Sequence, residues 1–220
     1  LFLNMNILAV GAHWDDIELG CSLTLKRLAD NGHKIFSVVV CSSLYGKNEN
    51  EGMSEEDALE SGMNSFKIIG ATYLATPKQP NSKLTYNKEI MIALEELARE
   101  NKIDLIFTHW FGDVNTDHKA TWEISRTAFR NVKNFVMYQS NSYNDHVNNF
   151  KPNLFFSFNK EQYNLKEKIL SQYKNEWSRR EQRWRKEVFD REKFWGFLSG
   201  NDYAEGFQIS KLTDFNPGIN

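Results

Sequence analysis

Short apolar runs alternate with longer segments of helical spacing through the first 140 positions of the chain. Asn6–Gly11 and Ile35–Cys41 are β-rich runs of the kind buried on both faces of a parallel sheet. Between them, Ile17 to Asn31 places Leu19, Leu23, Leu25 and Leu28 along a helix that stops before Gly32. Ser54 opens a second predicted helix, with Asp57 as a weak capping box and Gly70 as its end. Ala71–Leu74 predicts a short strand. Asn87 then caps a helix with Ile90, Leu94, Leu97 and Ala98 on one face. A strand at Leu105–Thr108, a helix over Asp117–Asn131 and a strand at Phe135–Tyr138 complete the series.

Alternation at these lengths implies right-handed βαβ crossovers, hence an α/β fold whose mainly parallel sheet carries helices on both faces. Polar stretches at 42–53 and 139–153 are long enough to suggest function rather than mere connection. The tail differs. Tyr173, Trp177, Trp184, Val188 and Trp195 recur at spacings of 4, 7, 4 and 7, one face of a C-terminal aromatic-rich helix. Eight Lys/Arg stand against five Asp/Glu in Lys174–Trp195. The interleaved acids would repel phosphates, so this face is read as packing on the domain or on a second copy, giving a homo-oligomer.

Composition narrows the class. With 27 Lys+Arg against 29 Asp+Glu, the net charge of −2 argues against a nucleic-acid binder. No apolar run reaches the ~18–20 residues of a membrane span, and Leu1–Met5 shows no signal-peptide pattern. Two cysteines, Cys21 and Cys41, make no disulfide framework, which points to a reducing, cytoplasmic setting. His33 and His146 read as surface residues.

The chemistry concentrates where strands run into helices. Gly11-Ala12-His13-Trp14-Asp15-Asp16-Ile17-Glu18 follows the first strand, at the edge where open α/β sheets bind ligands. Helix capping explains the acids of this cluster but not its histidine. A second cluster, His109-Trp110-Phe111-Gly112-Asp113-Val114-Asn115-Thr116-Asp117-His118, follows the strand at 105–108. A catalytic zinc site takes three His/Asp/Glu ligands and leaves a position for water. His13, Asp16 and either His109 or His118 would supply them, with Asp15 beside the water. A phosphate-binding turn is disfavoured: there is one glycine, and two carboxylates where a pyrophosphate would sit.

The first cluster, continued by Leu19-Gly20-Cys21, resembles the signature of the LmbE-like, or PIG-L, de-N-acetylases. So do Asp113-x-Asn115-x-Asp117-His118-Lys119-Ala120 and Tyr203-Ala204-Glu205-Gly206-Phe207. The resemblance implies one Rossmann-like domain over 1–220, with a core at 5–140 and a helical and strand region at 154–215. It also implies hydrolysis of the N-acetyl group of an acetamido sugar, with removal of formyl or another small acyl group, or a catalytically inactive binding protein on the same fold, as the alternatives. Zinc, or Fe²⁺ or Co²⁺, would be held by His13, Asp16 and His118, with Asp15 as general base. Asn115 replaces a histidine common in the family and is expected to be confined to positioning or oxyanion contact, while Asp117 orients a neighbour. Trp14 stands in place of the usual proline and either stacks on a sugar ring or packs under the loop. His109, which has no counterpart in the family motif, is expected as a wall residue or alternative proton carrier, and Asp113 as a substrate contact.

Overall fold

A computed structural model describes residues 4–42, 54–141, 149–174 and 183–213. The elements run β1 (Asn6–Gly11), α1 (Asp16–Asp30), β2 (Lys34–Val39), β3 (Cys41–Ser42), α2 (Glu55–Ile69), β4 (Ala71–Tyr73) and β5 (Gln79–Pro80). They continue with α3 (Lys88–Glu100), β6 (Leu105–His109), α4 (Thr116–Ala128), β7 (Asn134–Tyr138), β8 (Leu154–Phe158), α5 (Lys160–Leu170), α6 (Arg183–Leu198) and β9 (Tyr203–Lys211). Seven strands form one sheet in the order β4-β2-β1-β6-β7-β9-β8, while β3 pairs with β5. From β4 to β7 all pairs are parallel, and β9 lies antiparallel between β7 and β8. The expected α/β architecture is therefore present, with an antiparallel edge added by the C-terminal region.

The sheet is covered on both faces because its strands alternate. Ile7 and Ala9 of β1 pack with Ile17, Cys21 and Leu25 of α1, Phe66 and Ile69 of α2, and Tyr163 and Ile169 of α5. Leu8 and Val10 turn the other way, onto Ile90 and Leu94 of α3 and Ala120 and Ile124 of α4. Each such fully buried aliphatic side chain contributes about 1.5–3 kcal/mol. Helix ends follow local chemistry. The Ser54 side chain accepts from Asp57 N, Gly70 closes α2 at φ 85°, and Asn87 accepts from Ile90 N.

Some expected boundaries move. The strand at 35–41 ends at Val39, because Cys41–Ser42 leave the main sheet to pair with Gln79–Pro80. The helix expected to reach Asn131 stops at Ala128, with Phe129 as its cap. In the tail, α5 ends at Leu170 and α6 begins at Arg183. Tyr173, Val188 and Trp195 are all buried within the chain, so these members of the aromatic stripe are spent internally. Trp177, the side chain of Trp184, His146 and the polar stretches 43–53 and 142–148 lie outside the described residues. His33 is not a surface residue: it is buried, and its Nδ1 accepts the amide of Met5 at 3.0 Å. No helix among the described residues is long and apolar enough to cross a membrane.

The strand order creates the site. After β1 the chain moves outward through β2 and β4, then returns to add β6 on the other side of β1. Crossovers diverging in this way leave a crevice at the carboxyl ends of β1 and β6, the switch point where such sheets bind ligands.

Candidate metal centre

His13 lies two residues beyond β1, and Asp16 opens α1. The His13 amide donates to Asp16 Oδ2 at 2.7 Å, tying the turn to the helix. The His13 ring places Nδ1 3.2 Å from the same oxygen. His118, in the first turn of α4, sets Nε2 3.2 Å from Asp16 Oδ1. Asp16 thus meets His118 at Oδ1 and both His13 and His109 at Oδ2, with His109 Nε2 also 3.2 Å away, and all four residues are buried.

The far nitrogens of both rings are also held. His13 Nε2 is 3.0 Å from Asp117 Oδ2, and Asp117 in turn accepts the amides of Ser82 at 2.6 Å and Leu84 at 3.1 Å. His118 Nδ1 is 2.8 Å from Asp113 Oδ2. A carboxylate on one imidazole nitrogen is the arrangement that fixes tautomer and ring orientation in histidine–metal sites.

One ligand atom from each of His13, Asp16 and His118 lies within 4.8 Å of the others. The 3.2 Å spacings approach the edge of a tetrahedron with bonds of ~2.0–2.1 Å, about 3.3–3.4 Å. These residues therefore fit a divalent ion. The electrostatics agree. Burial disfavours the His118 imidazolium, yet Asp16 and Asp113 outweigh it and lift His118 to about 9. Burial likewise pushes Asp16 up, but His118 and His109 hold it well below the usual carboxylate range. The pocket is built to hold positive charge.

Asp15 caps α1 in position only. Its side chain makes no capping hydrogen bond, and its backbone sits at φ 141°, ψ −21°. A non-glycine residue in such a region costs on the order of 1–3 kcal/mol. Capping therefore does not account for Asp15. Glu18 serves neither the crevice nor the helix dipole at the surface. It is fully buried, bonded to Ser65 and to Tyr173 Oη, and burial raises it to about 7.

The expected substrate contacts need correction. Trp14 is 2 % exposed, packed against Phe66 and Tyr73, so it offers no face to a sugar. Gly62 makes room for that indole, since a Cβ there would overlap the ring. Asp113 is buried behind His118 rather than lining a wall. His109 is fully buried at the end of β6, stacked on His118 with ring centroids 4.0 Å apart. Its Nε2 accepts the Ala12 amide at 3.0 Å, and its Nδ1 has no hydrogen-bond partner among the described residues. Asn115 is the N-cap of α4: its Oδ1 accepts the amides of Asp117 and His118. Asp117 Oδ2 meets His13 Nε2 at 3.0 Å.

Sequence reasoning missed the Asp113–His118 pair, although an Asp five residues before a ligand histidine at a loop–helix junction could have signalled it. It also missed Cys41, whose sulfur lies within 4.8 Å of ligand atoms of His13 and Asp117.

Residues 8–129 match the family described as GlcNAc-PI de-N-acetylase, PIG-L. An uncharacterized deacetylase of Escherichia coli K12, YaiS, is 31 % identical over 176 residues, covering 77 % of this chain and 90 % of the relative. Among solved structures, the N,N′-diacetylchitobiose deacetylase of Pyrococcus horikoshii superposes with a TM-score of 0.77 at 18 % identity, over 98 % of this chain and 89 % of that one. GalB, a 4-carboxy-2-hydroxymuconate hydratase of Pseudomonas putida KT2440, does so with a TM-score of 0.76 at 15 % identity, over 96 % and 99 %. At these identities the two structures speak for the fold alone.

Proposed function

The chain belongs to the GlcNAc-PI de-N-acetylase (PIG-L) family of deacetylases, and on that premise we propose that it removes the N-acetyl group of an acetamido sugar with a divalent ion held by His13, Asp16 and His118. The observation carrying this reading is the convergence of His13 Nδ1 and His118 Nε2 on the two oxygens of Asp16, with each far nitrogen braced by Asp117 or Asp113. Zinc suits this N₂O set, as do Fe²⁺ and Co²⁺.

A bound ion would acidify water towards a pKa of ~7 and polarise the amide carbonyl. The protein's own work is proton handling and alignment. Asp15, next to the ligand Asp16, accepts the proton of the attacking water and returns it to the sugar nitrogen as the C–N bond breaks, giving amine and acetate. Asn115 lacks an ionisable group and cannot deliver that proton, so the acid step falls to Asp15 as well. Asp117 and Asp113 keep both rings in the tautomers that expose the ligating nitrogens.

Metal content by elemental mass spectrometry, together with acetate release from N-acetylglucosamine and its disaccharide, tests the reading. Wild type should carry one equivalent and His118→Ala little. Asp15→Asn should keep the metal and lose at least ~10²-fold in turnover. A metal-free wild type after incubation with zinc, or an active Asp15→Asn, would sink it. Because a hydratase shares the fold, acetate is the product to follow.

A further inference from the structure

The C-terminal region reaches into the middle of α1 through a buried ion cluster. Glu205 of β9 accepts the amides of Leu23 at 3.0 Å and Thr24 at 2.7 Å. Lys166 of α5 donates to the Leu19 carbonyl at 2.9 Å and to Glu205 Oε1 at 2.7 Å. It also meets Glu192 of α6 at 2.6 Å. Lys166, Glu192 and Glu205 are all completely buried. Arg191 reaches Leu19 O at 3.4 Å, and Tyr163 donates to Glu192.

In an uninterrupted α-helix the Leu19 carbonyl would accept from Leu23. Here Lys166 and Glu205 lie along that connection, carbonyl to ammonium to carboxylate to amide. α1 nonetheless runs as one helix from Asp16 to Asp30. The entry point falls one turn after Asp16, so the first turn of α1 is oriented by the C-terminal region as well as by its own ladder. The same turn is gripped again at Glu18 by Tyr173 Oη, at 2.6 Å.

We infer that Glu205 and Lys166 are positioning residues: inserted into the α1 ladder, they set the orientation of the turn that carries Asp15 and Asp16. The inference rests on the functional reading given above. An ion pair serving stability alone could be exchanged for apolar side chains at little cost or with gain. This pair could not, because the Leu23 and Thr24 amides and the Leu19 carbonyl use its charges.

The cluster of Lys166, Arg191, Glu192 and Glu205 holds two cations and two anions. Glu205→Gln unbalances it, whereas Glu205→Gln with Lys166→Met restores neutrality without restoring the inserted pair. Turnover, thermal unfolding and amide exchange of α1 are measured for wild type and both variants. The double variant should regain most of the stability lost by Glu205→Gln. Its kcat should stay ~10²-fold down, the scale of a 1 Å misalignment, with KM within about twofold of wild type. Exchange should rise at Ile17–Leu25 and stay unchanged in α3 and α4. A kcat that recovers with stability would overturn the inference, as would unaltered exchange in α1. Should Glu205→Gln fail to fold, the double variant alone decides by the same readouts. A wild type that neither binds Co²⁺ nor releases acetate would overturn the functional reading instead, and α1 exchange would then decide the positioning claim.

Discussion

As the proposed general base, Asp15 would trade stability for chemistry. Its backbone at φ 141° is a conformation that favours glycine, yet the position carries a carboxylate. Relief of strain of the order of 1–3 kcal/mol is partly offset by the roughly 1 kcal/mol of extra chain entropy that glycine loses on folding. Asp15→Gly should therefore unfold no earlier than wild type while losing turnover as completely as Asp15→Asn. A melting temperature several degrees lower would show that the side chain is held there for stability. Trp14, one residue earlier, makes the opposite case. Trp14→Ala should cost about 3–5 kcal/mol, as for a large buried aromatic, and leave KM for the acetamido sugar within twofold. A large rise in KM at unchanged stability would return the indole to the substrate. Adjacency to the proposed general base told nothing of which way this side chain turns, because a single turn sends Asp16 into the crevice and Trp14 into the core.

At the scale of elements, strand ends were the readable part of this molecule. Two apolar runs that each lead to a histidine and pass into a helix place their polar residues on one rim of a parallel sheet, which is why His13 and Asp16 could be grouped with His109 or His118 from the residues, the family resemblance then pointing to His118. Asn115 was harder, although Asn is among the preferred N-cap residues. Comparison with a family that has histidine there left positioning and oxyanion contact open, and the fold uses the amide oxygen to start α4. The helix it starts carries His118 and Asp117, so a cap here also aims two site residues. Asn115→Ser keeps a capping oxygen and discards the amide N–H group. It should retain turnover within about threefold, while Asn115→Ala should lose ~1 kcal/mol of stability together with more of the activity. Equal losses in the two variants would point back to an oxyanion contact from the amide group.

The molecule as a whole is closed by residues whose burial no local pattern marks, Glu205 of the Tyr203–Phe207 motif among them. Lys166 reads from its neighbours as one more solvated lysine of a charged helix, but burial is settled by β9, α6 and α1 meeting around it. Burial pulls its pKa down, and Glu192 and Glu205 pull it further up, so the net shift is above 10.5. A raised pKa contributes stability that is present below the unfolded value and lost as pH climbs through the folded one. Lys166 therefore supports the fold throughout the neutral range. Burial raises Glu192 above 4.5, with Lys166 the foremost charge opposing that rise. The stability linked to a raised carboxylate is full below its unfolded pKa and declines as pH passes the folded value. Lys166→Met removes the opposing charge, so Glu192 climbs further and the variant's decline steepens. At neutral pH the variant should be ~3–5 kcal/mol less stable, the cost of breaking a buried pair. For a chain of this size that is a melting temperature lower by about 6–20 °C. Between about pH 5 and pH 8 the gap to wild type should widen, since only the variant must force an unneutralised carboxylate to ionise in the core. Thermal unfolding of both proteins across that range reads the difference directly. Parallel curves would mean that water or a shifted side chain replaces the ammonium, and that the cluster is less closed than its geometry.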